Sequence, residues 1–345
     1  MYDIAIIGLG PAGATLARLL DKEYKVVAID YKKPGGKCCG GLLSPDAQKA
    51  LAKFDITIPK DVLVDPQIFS VRTIDFDNNI EKYYQRFYVN MNREKFDRYL
   101  VSLIPNSVKI ENALCTSVEK CGNYFKINMK QDNMIRQIKS KIVIGADGAN
   151  SIVRNTFYKK NKIKKYVAIQ EWYKEVNGLP FYSCIFDKEI TDSYSWTISK
   201  DNNFIIGGAF PIDKCNERFQ LLLEKCKKKG IKLGKKIKRE GCNVFITNSL
   251  FNIVTGCNNA YLIGEAAGFI SPSSLEGVSY AIESASILAK NVNKDLSNVS
   301  RRYYRKMWKL RCKIFLKILK KPFMYSRFLR KLVMLSGLKS IDKSI

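Results

Sequence analysis

The chain opens with a short run of apolar residues that predicts a buried parallel strand. This run, YDIAII at 2–7, is followed by a glycine turn and by PAGATLARLL, whose apolar positions recur at helical spacing. A second apolar run, KVVAID at 25–30, predicts the next strand. The order strand, helix, strand indicates a βαβ unit.

The remaining chain carries two further kinds of pattern. Alternating apolar and polar positions predict strands around 67–76, 80–90, 113–130, 136–145 and 166–209. A lysine-rich helix is predicted over 214–229. A strand and glycine turn at 258–269 then precede a helix rich in small residues.

Strand–turn–helix elements of the nucleotide-binding type occur near residues 8, 145 and 264, separated by antiparallel-type strands. We therefore predict an α/β protein in which a discontinuous Rossmann-like domain carries an inserted, mainly antiparallel β domain. The predicted domains are 1–65, 91–165 and 255–299 for the first, 66–90 and 166–254 for the second, and 300–345 for a basic, helical C-terminal tail.

The first glycine turn has the spacing of a dinucleotide-binding motif. Residues Gly8, Leu9, Gly10, Pro11, Ala12 and Gly13 lie between a strand and a helix, where glycines let a pyrophosphate approach the helix N-terminus. Asp30 ends the second strand, where an acid can accept hydrogen bonds from an adenosine ribose. The alternative is a turn whose glycines serve packing alone.

Three more segments strengthen the nucleotide-binding interpretation. They are IVIGADGANSIVR at 142–154, YLIGEAAGFISPSSLEG at 261–277 and NREKFDRYL at 92–100. Together with the first glycine turn, these segments resemble the sequence fingerprints of flavoprotein monooxygenases and reductases of the p-hydroxybenzoate hydroxylase class. The four segments also occur along the chain in the same order as in that class. The resemblance spans most of the chain.

That resemblance implies bound FAD and a set of residues that hold it. The glycine turn and Asp30 would bind the ADP half, Arg93 would lie near the pyrophosphate and ribityl chain, and Asp147 would support the pyrophosphate. The segment with Gly264, Glu265, Gly268 and Gly277 would cradle the ribityl chain and isoalloxazine. Glu265 departs from the family's aspartate, so its contact must shift or pass through water.

Two short segments resemble one branch of the class, the geranylgeranyl reductases, which saturate C=C bonds in isoprenoid chains. KCCGG at 37–41 resembles K-P-C-G-G, which implies that Cys39 lies near the flavin ring as a catalytic candidate. The alternative is a buried, unreactive cysteine. YSWTI at 194–198 resembles Y-x-W-x-F-P and implies a substrate pocket lined by Tyr194 and Trp196, although alternating aromatics also occur in ordinary cores.

Composition narrows the chemistry. The chain has no histidine, which excludes Ser-His and Cys-His nucleophiles and imidazole metal sites. Its 10 cysteines are too few for a disulfide scaffold and lack C-x-x-C pairs, so we predict no metal site. The N-terminus lacks the features of a signal peptide, and charges interrupt every apolar stretch, so we expect a cytoplasmic protein without a transmembrane helix.

Charge is concentrated in the C-terminal tail. The net charge is +27, and residues 301–345 hold 15 Lys or Arg against one acid, Asp342. A helix projected over 301–321 places apolar residues opposite basic ones; the apolar side comprises Tyr304, Met307, Trp308, Phe315, Ile318 and Leu319. Such a helix suits an anionic membrane surface and favours lipid over nucleic acid as partner, although a packed C-terminal helix and lysine-favouring codon usage are alternatives.

The sequence thus predicts an FAD-dependent oxidoreductase that reduces C=C bonds of an isoprenoid or other lipid-like substrate. The first alternative is an FAD-dependent monooxygenase acting on an aromatic or polyketide substrate. The second is a basic membrane- or nucleic-acid-binding protein with a relict nucleotide fold. Only one ADP-binding fingerprint occurs, so we expect electrons from transiently bound NAD(P)H or from a small redox protein.

Overall fold

The computed structural model describes residues 1–31, 37–132, 134–176, 178 and 181–341. In this part of the chain the strands are β1 (Tyr2–Ile7), β2 (Val26–Asp30), β3 (Leu42–Leu43), β4 (Ile68–Asp75), β5 (Ile80–Asn90), β6 (Lys109–Asn112), β7 (Leu114–Cys121), β8 (Tyr124–Gln131), β9 (Met134–Gly145), β10 (Lys164–Lys174), β11 (Tyr182–Phe186), β12 (Ser195–Lys200), β13 (Asn203–Pro211), β14 (Lys236–Ile246), β15 (Gly256–Cys257), β16 (Ala260–Leu262) and β17 (Ser340–Ile341). The helices are α1 (Pro11–Leu19), α2 (Pro45–Ala52), α3 (Arg93–Ser102), α4 (Ile152–Phe157), α5 (Cys215–Lys228), α6 (Val278–Lys294), α7 (Val299–Lys306), α8 (Trp308–Tyr325) and α9 (Arg327–Leu335).

The first sheet has a parallel centre. Its strands lie in the order β16-β9-β1-β2-β6, and the antiparallel hairpin β7-β8 continues from β9. The central strands β1 and β2 are buried from Ile4 to Ile7 and from Val26 to Ile29, which explains their continuous apolar sequences. Because the strands are parallel, the turns that follow β1, β2, β9 and β16 all lie at one edge of the sheet.

The second sheet is mainly antiparallel. Its order is β14-β10-β13-β12-β11-β4-β5-β17, with β3 beside β5, and β11 pairs with β4 in parallel. Its strands come from 42–43, 68–90, 164–246 and 340–341, whereas those of the first sheet come from 2–30, 109–145 and 256–262. The inserted sheet packs a buried aromatic cluster against the turns of the first sheet.

The tail departs from the predicted single helix over 301–321. Helix α7 ends at Lys306 and α8 begins at Trp308, with Met307 between them. Met307 is fully buried, and Ile318 packs against the core of the first domain, so these two residues of the predicted apolar side face the protein interior, as the packed-helix alternative expects. Tyr303, Met307 and Leu310 fill that core, and this packing determines which side of the tail faces inward.

No helix in the described residues is both long and apolar enough to cross a membrane.

Candidate functional site

One cavity of about 1360 Å³ lies between the turns of the first sheet and one face of the second sheet. The first sheet contributes Gly8, Leu9, Gly10, Asp30, Asp147, Gly148 and Glu265. The second sheet contributes Val167, Ala168, Tyr182, Trp196, Ile198 and Cys242. This volume exceeds the roughly 300–1,000 Å³ of ordinary small-ligand pockets, so it has room for a large cofactor beside a substrate.

The first glycine turn is shaped for close contact. Gly8 has φ +94°, which side chains rarely adopt, and a Cβ on Gly13 would lie 1.9 Å from the Gly8 carbonyl oxygen. A Cβ on Gly10, in contrast, would meet nothing within 4 Å, because this residue borders the cavity. Packing within the protein therefore does not require glycine at position 10. A glycine is expected there if a ligand approaches the backbone closely.

The N-terminus of α1 adjoins the same space. Gly10 is its N-cap and supplies no side-chain hydrogen bond, Pro11 occupies the first turn, and Ala12 lines the cavity. The first amide N–H groups of a helix have no partner within the helix and carry its positive dipole end. These donors fit a pyrophosphate.

Asp30 holds the glycine turn from the end of β2. Its Oδ1 accepts a hydrogen bond from the Leu9 N–H at 2.9 Å, and the residue also lines the cavity. The sequence predicted a ribose contact for Asp30. The structure adds a second role, since this carboxylate ties the turn after β1 to the neighbouring strand.

Asp147 carries a buried oxygen that lacks a partner among the described residues. Its Oδ2 accepts a hydrogen bond from the Ile152 N–H at 2.7 Å, whereas its Oδ1 is buried without one. Burial raises the pKa of this carboxyl to about 6. A ligand hydroxyl that donates to Oδ1 would satisfy this atom, which fits the hydroxyl-rich part of FAD.

Glu265 is engaged by protein groups on both oxygens. Its Oε2 forms a 2.6 Å ion pair with Lys37 Nζ, and its Oε1 accepts a hydrogen bond from the Phe245 N–H at 3.0 Å. Glu265 thus links its own turn to β14 and to the cysteine segment. Nearby, Gly264 (φ +56°) and Gly268 (φ +90°) need left-handed backbone, and Gly277 is the N-cap of α6.

Cys39 and Arg93 meet at the cavity wall. Arg93, in the first turn of α3, pairs through Nε with Asp97 at 2.9 Å and lies within hydrogen-bonding reach of the Cys39 thiol. Cys39 is half-buried, and its Sγ accepts a hydrogen bond from the Gly41 N–H at 3.4 Å. The structure therefore brings these two predicted residues together; the segment at 32–36 that precedes them lies outside the described residues.

Cys38 faces a cysteine that the sequence did not indicate. The Cys38 thiol donates to the Ala168 carbonyl at 3.7 Å, and the Cys242 thiol donates to the Cys38 carbonyl at 3.3 Å. The hydrogen bond with Cys242, together with burial, raises the pKa of the Cys38 thiol. No sequence signal marked Cys242, because only the register of β14 against β10 places it opposite Ala168.

Tyr194 and Trp196 line the cavity with Ile198 because alternate residues of a strand face the same side. The Tyr194 hydroxyl donates to the Ser274 carbonyl at 2.7 Å, and the Tyr194 and Trp196 ring centroids are 5.7 Å apart. Trp196 is 7% exposed, and its Nε1 has no partner among the described residues. This part of the cavity is thus mainly apolar, and the Trp196 indole N–H is available there to an acceptor on a ligand.

Glu276 and Tyr88 are cavity residues that sequence reasoning missed. The Tyr88 hydroxyl donates to Glu276 Oε1 at 3.3 Å, and both residues line the cavity. Burial raises the pKa of the Glu276 carboxyl. Its position directly before Gly277 in the third glycine-rich segment was the available signal.

The described residues hold no group of three or more His, Cys, Asp or Glu side chains suited to a metal ion.

Several solved structures share this fold. A geranylgeranyl bacteriochlorophyll reductase-like protein from Thermoplasma acidophilum superposes with a TM-score of 0.80 at 20% identity, covering 96% of this chain and 90% of that one. PqsL from Pseudomonas aeruginosa, a probable FAD-dependent monooxygenase, has a TM-score of 0.71 at 15% identity, covering 97% and 99%. The flavin-dependent brominase Bmp2 has a TM-score of 0.68 at 18% identity, covering 97% and 92%. These likenesses confirm the predicted Rossmann-like FAD-binding fold with its inserted sheet.

No family model matches the chain. The chain is, however, 46% identical over 348 residues to Protein CbrA of Escherichia coli O139:H28, which covers 99% of this chain and 98% of that protein. Protein CbrA of Shigella sonnei matches at 46% with the same coverage. Identity of this degree over nearly the whole of both chains shows that the protein belongs to the CbrA family.

Proposed function

We propose that this protein is an FAD-dependent oxidoreductase that reduces C=C bonds of an isoprenoid or other lipid-like substrate. One observation carries the proposal: a single cavity joins a dinucleotide-type glycine turn to a region lined by tyrosine, tryptophan and aliphatic side chains. A cofactor bound along the turn and an apolar substrate against the second sheet would share one continuous cavity.

The residues that would hold FAD belong to the first sheet. The backbone of Gly10 and the α1 N-terminus would bind the pyrophosphate, Asp30 the ribose, and Asp147 Oδ1 a ligand hydroxyl. When bound and reduced, the flavin supplies a hydride to one carbon of a double bond. Electrons would come from NAD(P)H or a small redox protein.

The second sheet would orient the substrate and exclude water. Tyr182, Tyr194, Trp196 and Ile198 present an apolar wall, and the free Trp196 Nε1–H is a donor for a polar group of the substrate. Cys39 lies at the boundary between the turn region and this wall, so its predicted place beside the flavin ring is part of the proposal.

Glu276 is the residue we assign to the second hydrogen of the reduction. After hydride addition, the neighbouring carbon needs a proton, and a buried carboxyl with a raised pKa retains one at higher pH than an exposed glutamate. The proton passes from the Glu276 carboxyl to carbon and leaves a carboxylate, which the Tyr88 hydroxyl stabilises through its hydrogen bond to Oε1. Hydride and proton together complete the saturation of one double bond.

The affinity for FAD should depend on pH through Asp147. A ligand hydroxyl that donates to Oδ1 favours the carboxylate, so binding lowers the raised pKa of about 6 and releases a proton. Below about pH 6, each unit of pH should therefore weaken FAD binding by up to about tenfold. Fluorescence titration of the apoprotein with FAD measures this. Asp147→Asn should bind FAD weakly, and its affinity should not change with pH. If the affinity of this variant fell with pH as steeply as that of the unaltered protein, Asp147 would not contact FAD.

The reaction is tested by anaerobic reoxidation of the reduced enzyme. The protein, loaded with FAD and reduced by dithionite, is mixed without oxygen with geranylgeraniol or with its fully saturated counterpart. We expect the oxidised flavin spectrum to return only with the unsaturated chain, and Glu276→Gln to slow that return by about 10²–10⁴-fold. Tyr88→Phe, which keeps the carboxyl, should slow it far less.

Two other results would overturn the proposal. Absence of reoxidation by unsaturated chains, combined with rapid oxygen consumption by the reduced enzyme, would favour a monooxygenase. Failure of the purified protein to bind FAD at all would favour a relict nucleotide fold.

A further inference from the structure

Helices α8 and α9 expose an unusual number of large apolar side chains. On α8 these are Trp308, Phe315, Leu316, Leu319 and Phe323. On α9, Phe328, Leu332 and Leu335 occur at spacings i, i+4 and i+7, so they share one face, and they are 67%, 51% and 59% exposed. We call these eight residues the α8–α9 apolar face. The five side chains of α8 also fall on one side of its helical projection, and exposed apolar patches of this kind mark interaction sites.

The opposite sides of both helices are firmly held. On α8, Leu310 and Ile314 are buried in the core of the first domain. On α9, Met334 is buried, and the Arg330 guanidinium binds the Asp75 carboxylate through Nε and Nη2 at 2.7 and 2.8 Å. The apolar face is therefore the outward side of two docked helices.

Basic residues border this face. On α8, Lys309, Lys313 and Lys320 lie along one edge of the exposed apolar stripe, and on α9, Lys331 lies beside Phe328 and Leu335 on the helical projection. All four lysines are exposed. Lys313 Nζ pairs with Glu283 of α6 at 2.8 Å, whereas residues 299–341 themselves contain no Asp or Glu, so Lys309, Lys320 and Lys331 have no acidic partner within the tail.

We propose that the α8–α9 apolar face docks onto the surface of an anionic bilayer. Exposed Trp, Phe and Leu side chains would enter the headgroup region, and the bordering lysines would pair with anionic headgroups. The positive charge of this face argues against two other binding partners, a second copy of the chain and nucleic acid. A second copy of the chain would bring two basic surfaces together, and nucleic acid would pair with the lysines while leaving the apolar side chains without a partner.

The docked helix also forms part of the cavity's surroundings. The Tyr325 hydroxyl at the end of α8 donates to the Ser273 carbonyl at 2.9 Å, and its ring lies 5.8 Å from that of Phe186. Met324 and Tyr325 pack against the aromatic cluster that contains Tyr194 and Trp196. Docking through α8 would thus place the apolar part of the cavity close to the bilayer, which suits the lipid-like substrate proposed above, although docking itself does not depend on that proposal.

The test is sedimentation of the full-length protein with vesicles. We expect binding to phosphatidylcholine vesicles that contain phosphatidylglycerol, weaker binding to phosphatidylcholine alone, and weakening by salt because the Debye length is only about 10 Å at 0.1 M. Lys309→Gln/Lys320→Gln should reduce binding by about 30-fold, which corresponds to about 1 kcal/mol for each charge. Phe328→Ser/Leu332→Ser/Leu335→Ser should abolish it at the same lipid concentration.

Matched control substitutions lie on β7, β8 and β9 of the first sheet, outside the tail. Lys120→Gln/Lys130→Gln and Ile135→Ser change exposed residues of the β7–β9 region and should bind vesicles like the unaltered protein. Far-UV circular dichroism confirms that each variant is folded. The proposal would be overturned if Lys309→Gln/Lys320→Gln bound vesicles as well as the control Lys120→Gln/Lys130→Gln. Retained binding by the triple serine variant would also overturn it. So would absence of vesicle binding, whether the protein then dimerises in sedimentation equilibrium or binds duplex DNA at the same ionic strength.

Discussion

Gly10→Val is expected to fold and to purify without flavin. A Cβ at this position meets nothing within 4 Å, and the backbone, at φ −66° and ψ −173°, is extended and open to any residue. The valine side chain would instead occupy the space at the α1 N-terminus where the pyrophosphate is expected. Loss of two charge-assisted hydrogen bonds at about 2 kcal/mol each weakens FAD binding by about 1,000-fold.

Gly13→Val provides the contrast. Its Cβ would lie 1.9 Å from the Gly8 carbonyl oxygen, so the turn itself must break and the protein should fail to fold. The flavin content of each purified variant, measured against protein concentration after denaturation, and its circular dichroism spectrum separate the two effects. A folded Gly10→Val protein with stoichiometric FAD would show that the cofactor does not bind at this turn.

Arg330→Met is expected to destabilise the protein by about 3–5 kcal/mol, because it leaves a buried carboxylate without its partner. Asp75 is fully buried and receives two hydrogen bonds from Arg330, whose Nη2 also lies 2.7 Å from Asp77 Oδ2. Arg330 Nη1 further donates to the Met324 carbonyl at 3.1 Å. The variant should therefore release α9 from the second sheet as well as lower the free energy of unfolding.

Urea unfolding followed by tryptophan fluorescence measures this loss, since Trp172 and Trp196 lie on the second sheet and Trp308 begins α8. The double variant Asp75→Asn/Arg330→Met removes the uncompensated charge and should recover part of the stability. Arg327→Met, at an exposed position on the same helix, should change the midpoint little. Equal midpoints for Arg330→Met and the unaltered protein would show that the ion pair does not hold the tail.

The local features of the fold were predictable from the sequence. The apolar runs of β1 and β2 indicated buried parallel strands, and the intervening glycine spacing indicated the tight turn into α1. Both predictions rest on residues close together in the sequence. A strand buried on two faces requires a continuous apolar run, and a turn with left-handed backbone requires a glycine at that position. Strand alternation likewise sufficed to place Tyr194 and Trp196 on one side.

Contacts between distant segments were decided only by the tertiary structure. Cys242 meets Cys38 because β14 pairs with β10 in one particular register, and a shift by one residue would point its thiol to the other side. The ion pair of Arg330 with Asp75 spans 255 residues, and the pairing of Glu265 with Lys37 spans 228. In the tail, the amphipathic pattern predicted a helix, but packing against the first domain decided that Met307 faces inward while Trp308 and Phe315 remain exposed. An amphipathic pattern specifies which residues avoid water, whereas the docked surface decides which of them are covered.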